Sequence, residues 1–71
     1  MKKTYRIEWA NYHGFRSGIA DWRWYKFSDK DNAASAIELA KSLLDKGHTN
    51  TRVIEVDNDT HKEKVLQTFQ R

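Results

Sequence analysis

The stretch Ala33 to Leu44 limits the architecture more than any other part of this chain. At about 100° per residue, Leu39, Leu43, Ala36, Ala40, Ala33, Leu44 and Ile37 fall in one arc of roughly 160°. The opposite arc carries Lys41, Ala34, Asp45, Glu38, Ser42, Ser35 and Lys46. This is an amphipathic helix that must lie on an apolar surface, and the flanking strand-like stretches are the candidates to supply it. A helix over 29–46 is expected, with Ser28 as its N-cap, Asp31 completing a weak capping box and Gly47 just past its end.

Upstream, Lys3 to Ala10 alternates with period two. Tyr5, Ile7 and Trp9 point one way and Thr4, Arg6, Glu8 and Ala10 the other, the pattern of a half-buried strand. Residues 11–20 contain Gly14 and Gly18 and read as a hairpin loop too long for a two-residue turn. A second strand follows at 22–27, with Trp22, Trp24 and Lys26 on one side and Arg23, Tyr25 and Phe27 on the other. Residues 52–57 are rich in β-branched side chains and form a third strand. Thr60 and Glu63 then make a capping box for a last helix over 61–70, in which Val65, Leu66 and Phe69 share an arc. The expected fold is α/β of the α+β type, in the order ββαβα. It is a single domain over 1–71, with a three-stranded mixed sheet, the long helix on one face and a right-handed crossover that sets strands two and three parallel. The short C-terminal helix sits at an edge or on the second face.

With 71 residues, ordering the chain costs roughly 100 kcal/mol, so nearly every large apolar side chain is needed inside. Proline and cysteine are absent, which excludes a disulfide framework, a thiol nucleophile and cysteine-ligated zinc. The N-terminus leads straight into alternating polar and apolar residues, and no apolar run is long enough to span a bilayer, so a cytoplasmic protein is expected. The net charge of +3 is unevenly spread. Residues 1–27 carry six basic and two acidic groups and eight of the nine aromatics, whereas residues 28–59 carry four basic and seven acidic groups. Such asymmetry points to a directional surface.

The densest candidate for function is Trp22-Arg23-Trp24-Tyr25-Lys26-Phe27. With Tyr25 and Phe27 beneath the helix, Trp22, Trp24 and Lys26 reach the second face, where Arg6 joins them. Two tryptophans beside cations suit a protein interface, with Trp22, Arg23, Trp24 and Lys26 as anchors and Tyr12, Phe15 and Arg16 of the hairpin next. They also suit stacking on single-stranded nucleic acid, with Arg6, Lys26, Lys62 and Lys64 on phosphates. A third reading covers the face with a second copy of the chain, and a fourth uses the tryptophans as core under the last helix. The acidic groups Asp29, Asp31, Glu38, Asp45, Glu55, Asp57 and Asp59 read as caps and solvated surface, or as a patch for a basic partner. Asp57-Asn58-Asp59-Thr60-His61 lacks the glycine and terminal glutamate of a calcium loop and reads as strand exit plus cap. His13 and His48 have no neighbouring group to make them bases, and no serine stands in a nucleophile context. Neither a cofactor, a metal nor catalysis is expected.

The segment Tyr25 to Val56 is a strand, an Ala-rich helix, a glycine and a Val-rich strand. Through Ala36, Ile37, Leu39, Ala40, Gly47, Arg52, Val53 and Val56 it resembles the βαβ unit of small phage-encoded inhibitors of host RNA polymerase. The resemblance implies a viral protein that acts by occupying a surface of a larger host complex. It assigns no binding residue.

Overall fold

In the computed structural model, which describes residues 2–71, β1 (Lys3–Arg16) and β2 (Ile19–Lys30) form one long hairpin. Helix α1 (Ala33–Asp45) follows, then β3 (Asn50–Asp57) and β4 (Glu63–Gln70). The sheet order is β2-β1-β3-β4, and every neighbouring pair is antiparallel. The expected three-stranded mixed sheet with two helices is therefore corrected to a four-stranded antiparallel sheet with one helix. Strands β2 and β3 run in the same direction but do not pair, because β1 lies between them. The strand–helix–strand segment that carries the family resemblance is thus not a contiguous βαβ unit.

The expected loop at 11–20 is instead a continuation of the hairpin. Ser17 (φ 52°) and Gly18 (φ 81°) form its two-residue turn, and Arg16 pairs with Ile19. Positive φ at both central residues is the hairpin geometry whose twist matches the strands. A serine there disguises the signal, since L-residues other than Asn and Asp seldom adopt it. Pairing of β1 with β3 stops at Ala10 and Asn50, so residues 11–16 and their β2 partners project as a two-stranded arm of roughly 20 Å. The molecule is accordingly 43 Å long and 15 Å thick.

The helix begins later than Ser28 suggested, because β2 continues to Lys30, opposite Tyr5. Asn32 is the N-cap, and its side chain accepts from the Ser35 amide at 2.8 Å. At the other end Gly47 takes φ 108°, and the His48 amide donates to the Leu43 carbonyl at 3.1 Å. Ala36, Ala40 and Leu43 face the sheet and, with Ile7 and Val53, make a small fully buried core. Tyr5, Ile37, Leu39, Leu66 and Phe69 pack around it. Thr51, also buried, donates its hydroxyl to the Ala40 carbonyl at 3.0 Å, tying β3 to the helix.

The expected last helix is β4. Its connection to β3 is a turn in which Asp57 Oδ1 accepts the amides of Asp59 (2.9 Å) and Thr60 (3.3 Å), while His61 takes φ 61°. A bulge at Leu66 turns both Leu66 and Phe69 towards the helix, so a strand displays an i, i+3 apolar pair. No helix among the described residues is long and apolar enough to cross a membrane.

Candidate functional site

The face of the sheet away from α1 is covered by no second layer among the described residues. Its side chains follow from the register, because residues directly opposite one another across a sheet share a face. Three rows cross the helix-free side of the hairpin: Trp24, Ala10 and Asn50; then Trp22 and Tyr12; then Ala20 and Phe15 at the end of the arm. The next row back towards the body is Lys26, Glu8 and Arg52.

Phe15 joins this face through a bulge. In a regular strand Tyr12 and Phe15 would point to opposite sides. An extra residue at His13-Gly14, with Gly14 at φ 95°, restores Phe15 to the side of Tyr12. The rings confirm the shared face: Tyr12 and Phe15 centroids are 6.0 Å apart and edge-on, and Tyr12 and Trp22 are 5.1 Å apart. The result is an aromatic strip along the arm. Phe15 is 72 % exposed, Tyr12 43 % and Trp22 45 %. At the base of the strip Ala10, Trp22, Trp24, Asn50 and Gln70 line an open hollow of about 320 Å³.

Next to the aromatics lies a balanced charge network. The Glu8 carboxylate, nearly buried, meets Arg52 Nε and Nη2 at 2.7 Å and Arg6 Nε at 2.9 Å. Arg6 also donates to Glu63 on β4. The Arg52 guanidinium stacks on the Trp24 indole, 4.0 Å from the ring centroid, so it braces that ring as well as holding Glu8. Lys26 pairs with Asp29 at 2.7 Å across a further bulge. Glu8→Gln should lower stability by about 1–3 kcal/mol, because two guanidinium groups lose their shared counter-charge in a half-buried setting. Urea unfolding measures this.

The Arg6 guanidinium holds the Glu63 carboxyl below its ordinary value of 4.5. The amides of Asp59 and Thr60 hold the Asp57 carboxyl below 3.8. In both cases the folded chain binds fewer protons than the unfolded chain, so the stabilisation is complete above the ordinary values and is lost as pH falls through the depressed ones. Both groups serve the β3–β4 hairpin. Stability should therefore decline below pH 4.5, and Asp57→Asn should flatten the acid limb in thermal melts taken between neutral and acid pH.

The remaining sequence candidates fall elsewhere. Arg16 and Arg23 lie on the other face of the arm, and both approach Asp21, at 3.8 and 3.1 Å. Lys64 is opposite Glu55 on the helix side, and Lys62 is in the β3–β4 turn. Tyr25 and Phe27, expected beneath the helix, are 38 % and 46 % exposed. Tyr25 stacks on Trp9 at 4.9 Å and meets His13 Nε2 through its hydroxyl at 2.9 Å, while His48 packs on Trp9. Arg52 and Asn50 belong to the face but carried no sequence signal, since only register sets them beside the tryptophans. Among the described residues no group of three or more His, Asp or Glu side chains could hold a metal ion. No protein-family model, curated protein or solved structure matches the chain.

Proposed function

We propose that this chain is a small non-catalytic protein-binding module that modulates a larger protein or complex by occupying one of its surfaces. The docking surface is the aromatic strip Phe15, Tyr12, Trp22 and Trp24. The observation that carries the reading is a contrast on one face: Phe15, Tyr12 and Trp22 are exposed and Trp24 is half-buried, while each neighbouring cation is held by a carboxylate. Exposed aromatic area beside a polar rim suits the centre of a protein interface. A nucleic-acid surface needs cations free to replace counterions at phosphates. Arg6, Arg52 and Lys26 are already engaged, and Lys62 and Lys64 lie away from the strip, which weighs against that use.

The test is capture from a bacterial extract on the immobilised chain, run beside a Trp22→Ala variant of equal stability. Proteins retained by the wild type and released by the variant support the reading. Identical retention by the two sinks it, as does salt-sensitive binding of mixed-sequence oligonucleotides that tracks Trp22.

A further inference from the structure

We propose that the aromatic strip also closes on a second copy of this chain, forming a two-fold dimer in which the hairpin arms lie antiparallel, face to face. The inference rests on the strip being a protein-docking surface and names one partner for it.

The argument is the order of large and small side chains along the arm. A two-fold axis that lies between two such faces and runs across the strands, over the row of Tyr12 and Trp22, exchanges the rows on either side while keeping each strand over its own counterpart. The row of Trp24 and Ala10 is then brought over the partner's Ala20 and Phe15. Trp24 on β2 meets Ala20 on β2, and Phe15 on β1 meets Ala10 on β1. Each large ring faces a methyl group, twice over by symmetry. The hollow floored by Ala10 receives a phenyl group that is otherwise 72 % exposed. Tyr12 and Trp22 stack on their own copies at the axis.

Charge is consistent with the same register. The row of Lys26, Glu8 and Arg52 falls two rows from the axis, opposite the partner's Ser17-Gly18 turn. The ion pairs therefore stay at the rim and are not buried. At about 200 Å² per aromatic side chain, the free area of Tyr12, Phe15 and Trp22 is roughly 300 Å². With Trp24, Ala20 and the arm backbone, each copy buries roughly 400–500 Å², about 800–1,000 Å² in total and below the standard size of stable interfaces, so the dimer is weak and dissociates on dilution.

Sedimentation velocity of the whole chain, from about 1 μM to 1 mM, should show a reversible monomer–dimer equilibrium. Phe15→Ala should weaken it about tenfold or more. Ile19→Ala is the control, since Ile19 is equally exposed on the same arm but on its other face, and it should leave the dimer unchanged. Ala20→Trp should abolish the dimer, because it sets a ring against the partner's Trp24, although it adds apolar surface that a merely adhesive patch would use. A monomer throughout, equal effects of Phe15→Ala and Ile19→Ala, or tighter association of Ala20→Trp would each overturn the proposal. A monomer that still captures a partner through Trp22 would overturn the dimer and leave the docking surface standing.

Discussion

Ile7→Ala should destabilise the fold by about 2–5 kcal/mol, the largest effect of any single truncation in this chain. Ile7 has no exposed surface. It is flanked by Ser28 and Val53 in the sheet and lies under Ala36, Ala40 and Leu43. Two of those three helix residues are alanines, so the helix cannot extend side chains into the space that a shortened Ile7 leaves. A cavity remains, and its cost adds to the lost transfer energy. A chain of 71 residues has a total stability of roughly 4–10 kcal/mol, so this one change removes a large share of it. Urea unfolding should show the midpoint falling with the slope unchanged. A loss below about 1 kcal/mol would mean that the core is centred elsewhere.

Trp22→Ala should separate binding from folding. The indole is 45 % exposed and packs on Tyr12 within the arm, outside the core beneath the helix. The stability change should stay within about 1 kcal/mol, whereas partner affinity should drop by about 2 kcal/mol or more, some thirtyfold. Trp24→Ala should differ in kind. It removes the ring on which Arg52 rests, and Arg52 in turn holds Glu8, so about 0.5–2 kcal/mol of stability goes with it. Paired thermal melts and titrations of the two variants against a captured partner give both quantities. Unfolding by Trp22→Ala would assign that ring to the core and end the docking proposal.

The parts legible in the sequence are those with unbroken local periodicity. The helix was readable from Ala36, Ala40 and Leu43 at 3.6-residue spacing, with Gly47 to end it. On the first strand the inward set Tyr5, Ile7 and Trp9 was readable from simple alternation, whereas on the second strand alternation grouped Trp22, Trp24 and Lys26 without deciding which side faced the helix; the pairing register decided that. The misreading of β4 as a helix comes from a local device that alters a period. Leu66 and Phe69 are spaced like helix neighbours, yet a bulge sets them on one face of β4. The same i, i+3 sharing recurs at Tyr12 and Phe15, through Gly14, and at Lys26 and Asp29, through the bulge at Phe27. A bulge adds one residue to one strand, so it converts a spacing of two into three. Its signature in one dimension is that of a helical turn.

What the amino-acid order determined by itself is local: which segments bury a stripe, where the helix stops, and that eight of the nine aromatics lie in the first 27 residues. Pairing depends on partners far apart along the chain, and only the assembled sheet decided it. Placing β1 between β2 and β3 brings Arg52 across to Glu8 and Trp24, and it ends the third strand's support at Ala10 so that the arm stands free. Period-two alternation says that a strand has two faces. Which neighbours share each face is a free-energy balance over the whole sheet, struck by residues such as Ile7 and Val53, whose burial exists only once both strands and the helix are in place.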